Sequence, residues 1–359
     1  MPTSAADPAN HLALTIAREA RGLTQSALAE QSGVSQATIS KIESGQLAAT
    51  PEVIEKLAGA VSFPVTFFYQ AVDYRQLPAT FYRKRVTGLS QRIVRSLRAK
   101  LNIFRQQLRL LVAPAELPEV RLPVLDLQAR HMSAAMAARE VRRAWNLPPG
   151  PIDNLTRVLE AAGVLIFRWD FGTARVDGFS FYETAGDLPP IIFVNQVFPT
   201  DRYRYTVAHE LAHLVAHVHL PFVTAESRDI EDEADEFAAE LLMPSSDIKG
   251  HLLGVSVERL ATMKPYWKTS MAALLVRAHS LGLLSQSQYQ RMWQRMAPYR
   301  TVEPNPLPPE EPTLLGQLID LHLKQLGFTE QQLVDLLRCD PAFFRQHYSA
   351  PSLGLRLVM

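Results

Sequence analysis

Residues Arg204 to Leu220 read RYTVAHELAHLVAHVHL, four histidines and a glutamate in a segment otherwise apolar enough to be buried. On an α-helix, residues four apart share a face and lie about 6 Å apart along the axis. His209 and His213 therefore point at one ion, and two neutral imidazoles suit zinc. Glu210 sits one position round, near enough to activate a water at that ion. A core helix with hydrogen-bonded histidines is the plain alternative, and a third ligand is what separates the two. A hydrolytic zinc site needs three protein ligands and one open position.

The acidic segment RDIEDEADEFAAELLMP, Arg228 to Pro244, is the donor to expect. Its spacing predicts a helix stopped by Pro244. Glu233, Glu236 and Glu240 form one stripe, expected to face solvent. Glu231, Ala234, Ala238 and Leu242 form another, and its alanines allow close approach of a second helix. Glu231 is thus the expected third ligand. Glu233 is the rival, because it follows His213 by the 20-residue interval of thermolysin-like enzymes. His217, one turn past His213, and Asp235 are expected behind the ligands as second-layer groups. His219 is expected near the surface. Tyr203, Arg204 and Tyr205 are candidates to stabilise a tetrahedral intermediate.

The chain has 359 residues with nearly balanced charge, 37 Lys+Arg against 36 Asp+Glu, which hides an asymmetry. Residues 1–110 hold 14 basic and 7 acidic side chains, whereas residues 201–260 hold 5 and 12. A basic front end points to nucleic acid. There, helix signals alternate with stops: Leu12 to Gly22, a helix capped by Thr24 and closed by Gly33, then one capped by Ser35 and closed by Gly45. Two short helices around a glycine turn form a helix-turn-helix. Gln36, Thr38, Ser40 and Lys41 offer polar or cationic groups to base edges or phosphates, while Val34, Ile39 and Ile42 turn inward. Gln25 stands where a helix N-terminus meets a phosphate.

Residues 1–70 are read as this DNA-binding domain and 71–125 as a basic amphipathic helix with a linker. In the latter, Ile93, Leu97, Leu101, Phe104, Leu108 and Leu111 repeat at helical spacing. Its arginines, with Arg83-Lys84-Arg85, are expected on a solvated face rather than on phosphates. Residues 126–297 follow with two helices, strand-like runs GVLIFRW, DGFSFY and PIIFVN, and then the histidine helix. PIIFVN, just before that helix, is a candidate to take substrate backbone as an added strand. Prolines make 298–312 a semi-rigid linker, and 313–359 is a small helical accessory or dimerisation module. The fold class is α+β: an all-α N-terminal domain, a small sheet with the HExxH helix, and a C-terminal helical module.

Two resemblances then add to this. LTQSALAEQSGVSQATISKIESGQLAATPEVIEKLAGAVSFP resembles the phage-repressor (XRE-type) helix-turn-helix through Thr24-Gln25, Leu28-Ala29, Gly33-Val34-Ser35, Ile39-Ser40, Ile42-Glu43 and Gly45. RYTVAHELAHLVAH, EDEADEFAAELLMP and YWKTSMAALLVRAHSLGLLSQSQY resemble the ImmA/IrrE cytoplasmic metallopeptidases from about Ala129 to Arg295. That family's pattern is a His-Glu-x-x-His helix, an E-x-x-A-[N/D]-x-F-A helix ending in L-L-M-P, and a W-x-x-S-x-x-A-L-x-x-R-A segment. The second resemblance implies His209, His213 and Glu231 as ligands and Glu210 as the catalytic carboxylate, with Asp235 in place of the commoner Asn. It also implies cleavage of helix-turn-helix repressors under stress or phage induction.

The expected function is a transcriptional regulator carrying a zinc endopeptidase, manganese being the other candidate metal. Its partners would be a double-stranded operator and a protein substrate, with the chain as a homodimer. The alternative is a transcription factor whose peptidase-like domain only senses a metal, ligand or partner. One cysteine, Cys339, excludes an internal disulfide framework. No signal peptide or membrane-span pattern is visible, so a cytoplasmic location is expected.

Overall fold

The computed structural model describes residues 8–71, 89–182, 188–218 and 229–348. Arg83-Lys84-Arg85 and His219 lie outside the described residues. Two compact units result, and the first is built from both ends of the sequence.

In the first unit, α1 (His11–Ala20), α2 (Gln25–Ser32), α3 (Gln36–Glu43) and α4 (Pro51–Val61) follow local signals closely. Thr24 accepts from the N–H of Ala27 and Ser35 from that of Thr38, each satisfying an otherwise orphaned donor. Gly33 ends α2 at φ 69°, a left-handed turn that costs glycine nothing. Leu14, Leu28, Ile39, Ile54 and Leu57 close the core.

Next comes α5 (Gln91–Val112), the long helix expected from its periodicity. It is not a one-sided amphipathic helix, for Asn102, Arg105 and Gln107 are buried with the apolar row. The reason lies at the far end of the chain. After the second unit the sequence returns as α13 (Leu314–Asp320), α14 (Glu330–Leu337) and α15 (Pro341–His347). Gln107 donates to the Leu337 carbonyl at 2.9 Å and accepts from the Tyr348 hydroxyl at 2.6 Å. The Tyr348 ring stacks on Phe104 with centroids 6.0 Å apart. The C-terminal helices thus belong to the first unit and pack on α5, where the sequence reading set them apart as an accessory module.

The second unit, Pro118–Thr313, holds α6 (Ala134–Ala144), α7 (Leu155–Ala161), β1 (Leu165–Trp169), β2 (Gly178–Phe181), β3 (Ile191–Asn195) and α8 (Thr200–Ala212). It continues with α9 (Ile230–Leu242), α10 (Val257–Trp267), α11 (Met271–Ser280) and α12 (Gln286–Arg295). The sheet order is β1-β3-β2, with β1 parallel and β2 antiparallel to β3. Ile192 and Val194 join the helical core, while Phe193 stacks on Phe179 at 4.8 Å on the opposite face. Being central, β3 already has a neighbour on each edge, so PIIFVN offers no edge to a substrate backbone. The Pro-rich stretch expected as a linker is partly structural, since Glu310 is buried against Arg204.

Candidate metal centre and nucleic-acid interface

Pro199 precedes α8, and its regular winding lasts through Ala212. From His213 to His217 the helix loosens to a π-type turn, a local expansion that recurs at functional sites. Antiparallel neighbour α9 packs its stripe of Ala234, Ala238 and Leu242 into the same core, and that close approach brings its first turn to the histidines. Asp229 caps α9 by accepting from the Asp232 N–H.

His209, His213 and Glu231 are all buried, with ligand atoms within 4.8 Å of one another. The two Nε2 atoms are 3.2 Å apart, and the Glu231 carboxylate oxygens lie 3.5 Å from that of His209 and 3.4 Å from that of His213. Ligands about 2.0–2.1 Å from a tetrahedral ion sit roughly 3.3–3.4 Å from each other. Each imidazole thus faces a different oxygen of Glu231 at close to the edge length of a zinc tetrahedron, and two imidazoles with a carboxylate are donor types zinc takes.

The remaining ring nitrogens are committed elsewhere. Nδ1 of His209 lies 2.8 Å from Asp235 Oδ1. Nδ1 of His213 lies 2.9 Å from Nδ1 of His217, whose Nε2 lies 2.9 Å from Glu233. One tautomer pattern satisfies this chain. His217 donates from Nε2 to the Glu233 carboxylate and accepts at Nδ1 from His213, leaving Nε2 of His213 with its lone pair. A proton on Nδ1 of His209, donated to Asp235, leaves its Nε2 in the same state. Glu233, the rival ligand of the sequence reading, thus stands two residues behind the site.

Glu210 is buried at 2 % exposure. Ser180 on β2 donates to its Oε2 at 3.0 Å, and its backbone carbonyl is 3.1 Å from the same hydroxyl. The sequence reading missed Ser180; its place in DGFSFY gave only strand alternation. Gly178, two residues earlier, is where β2 crosses α8. A Cβ there would stand 2.6 Å from the Phe193 carbonyl and 2.8 Å from Thr206 Cγ2, so no other residue fits without displacing the sheet.

Three expectations fail at this centre. Tyr203 is buried and its hydroxyl meets Thr156 at 3.0 Å, while Arg204 is buried against Glu310 and the Ile152 carbonyl. Both point into the fold, away from any developing oxyanion. Burial, partly offset by Asp153 and Tyr203, lowers the Arg204 guanidinium to about 10. Glu240, placed on a solvated stripe, is buried instead, its carboxylate held by Arg277, by Arg139 at 3.0 Å and by Ser245 at 3.0 Å. Tyr205 does stay near, its hydroxyl 3.4 Å from the Asp235 carbonyl. Burial first, then Asp235, pushes its phenol well up and keeps it neutral. A cleft of about 1400 Å³ borders Tyr205, Thr206 and Asp235 and continues past Arg202, Arg277 and Val302.

In the first unit, Gln36 and Lys41 are exposed on α3, while Thr38 and Ser40 are half-buried. Thr38 shares a 2.8 Å hydrogen bond with Ser35, so its hydroxyl is engaged in the cap. Gln36 donates to Gln25 at 2.9 Å, Gln25 donates to Glu43 at 2.8 Å, and Arg18 grips the same carboxylate at 2.6 and 2.9 Å. Gln25 is thereby a brace that holds Gln36 of α3 against α2. No helix among the described residues is long and apolar enough to cross a membrane.

Two family models match parts of the chain. Residues 14–68 match the helix-turn-helix family, and residues 159–279 match the IrrE N-terminal-like domain. No curated protein matches the chain. In sequence order, then, the chain carries an XRE-type helix-turn-helix followed by a domain similar to the IrrE/ImmA metallopeptidases.

Proposed function

We propose that this chain is a transcriptional regulator whose second unit is a zinc-dependent endopeptidase acting on a protein, a helix-turn-helix repressor being the favoured target. The observation that carries this reading is the His209–His213–Glu231 triangle beside a buried Glu210. His209, His213 and Glu231 would hold the metal, zinc or alternatively manganese, which when bound supplies Lewis acidity toward a scissile carbonyl. Glu210, fixed at Oε2 by Ser180, accepts the proton of the attacking water and passes it to the departing amide nitrogen. Asp235 and the His217–Glu233 pair hold the imidazoles in the tautomers that keep Nε2 free.

The cleft of about 1400 Å³ reaches the His209 partner Asp235 and would be the approach for a protein substrate. In the first unit, Gln36 and Lys41 would read and grip an operator, with two copies of the chain on a two-fold site.

Glu210→Gln tests the peptidase. The variant should fold and bind metal as wild type does, yet cleave about 10²–10⁴-fold more slowly. Repressor cleavage and reporter output are measured in the same strain. Normal regulation by Glu210→Gln would remove proteolysis from the mechanism and leave a sensing domain.

A further inference from the structure

Arg92 and Arg95 occupy the first two turns of α5, outside the stretch that matches the helix-turn-helix family. Helix α5 is docked on α1 by the Ser96 hydroxyl, which donates to the Ala20 carbonyl at 3.1 Å, and by Arg98, which lies 3.8 Å from Glu19. This docking sets the α5 first turn beside the turn between α1 and α2. Arg92 Nε passes 3.3 Å from where a Cβ on Gly22 would stand.

A cleft of about 510 Å³ results. Gln25 and Gln36 border it on one side and Arg92 and Arg95 on the other. Three arginines and one glutamate line it. Arg18 is consumed by Glu43, and Glu19 is engaged by Arg98. Arg92 and Arg95 are exposed, and no carboxylate among the described residues pairs with either.

We propose that Arg92 and Arg95 extend the DNA interface beyond the helix-turn-helix, each neutralising a backbone phosphate of the duplex that α3 enters. The argument is continuity and charge: the cleft is shared with Gln36, the exposed polar side chain at the start of α3, and its far wall carries two arginines left without a carboxylate. A guanidinium held at fixed distance from a reading helix sets register on the duplex while contributing nothing to sequence choice. This inference rests on the DNA-binding reading above, and the experiment separates the two.

Full-length protein is titrated with a fluorescein-labelled random-sequence duplex over a range of salt concentrations. Neutralising one phosphate contributes roughly 0.9 to the slope of log affinity against log salt. Arg92→Gln/Arg95→Gln should lower that slope by roughly 2 and weaken binding alike for every sequence. Lysine at both positions should restore most of the slope. Arg259→Gln/Arg291→Gln, which removes the same charge from exposed sites in the second unit, should leave it unchanged. Unaltered melting and circular dichroism show that the exposed substitutions keep the fold. A wild-type slope in the glutamine variant, or an equal fall in the control, overturns the placement and leaves DNA binding standing. Absence of binding by wild type at low salt overturns both.

Discussion

Nε2 of His217 lies 2.9 Å from the carboxylate of Glu233. This contact, with Glu231 as the carboxylate grouped with His209 and His213, is the basis for proposing Glu233 in a supporting part. Glu231→Gln should abolish stoichiometric metal, read by elemental analysis after gel filtration. Glu233→Gln should keep the ligand set and weaken metal affinity by about 10–100-fold, the usual cost of an outer hydrogen-bonding partner. The reverse pattern would exchange the two roles.

Ser180→Ala should leave metal content intact and lower turnover, because Glu210 loses the donor that fixes Oε2. The expected fall is smaller than for Glu210→Gln, which removes the proton acceptor itself. Ser180→Thr, which keeps the hydroxyl, should recover part of the loss. Equal activity of all three chains would show that the hydroxyl does not position Glu210.

Glu310→Ala leaves the Arg204 guanidinium buried without its carboxylate. Breaking one side of a buried pair typically costs about 3–5 kcal/mol. Calorimetry should show the second unit melting several degrees lower, by roughly 2–4 °C per kcal/mol for a domain of this size. A melting temperature equal to wild type would return the Pro-rich stretch to the status of a spacer.

Cys339 is buried, and burial first, then Asp340, raises its thiol to about 12 from an ordinary value of 9.0. A folded value above the unfolded one means the fold favours the protonated thiol. That contribution to stability is fully present below pH 9 and lost as pH rises from 9 toward 12. The native chain should therefore resist an aromatic disulfide reagent at pH 8 and react once in denaturant. Between pH 9 and 12, Cys339→Ala should lose less stability than wild type.

Gln36→Ala should cost about 1–3 kcal/mol at a specific operator and relax base choice there. Thr38→Ala should act mainly through the cap it shares with Ser35. Its loss should then appear in the stability of the first unit rather than in specificity. Identical discrimination by Gln36→Ala and wild type across a panel of duplexes would remove base readout by this side chain.

The legible parts of this molecule are the local ones. Thr24, Gly33 and Ser35 act on backbone groups within four residues, so the helix-turn-helix can be read from a short window. His209 and His213 are a single turn apart, and that spacing alone brings them together. What escaped reading depends on distant partners. Glu240 looked solvated on its own helix, but Arg139 and Arg277 arrive from α6 and α11 to bury it. Glu310 sits among prolines that forbid a helix, and nothing nearby announces Arg204, 106 residues earlier. Periodicity gave α5 one apolar face, Phe104 included, while the burial of Gln107 depends on the Leu337 carbonyl of α14 and the Tyr348 hydroxyl.

That dependence of α5 sets a timetable for biosynthesis. A ribosome finishes α5 and must then make about 200 residues before α14 and α15 exist, roughly 10–40 s at ordinary elongation rates. Throughout that interval Gln107 lacks the Leu337 carbonyl and the Tyr348 hydroxyl and Phe104 lacks the Tyr348 ring, while the second unit can fold. A chain stopped within the Pro-rich stretch would hold nearly all of the second unit, while the side of α5 that meets Leu337 and Tyr348 stayed uncovered.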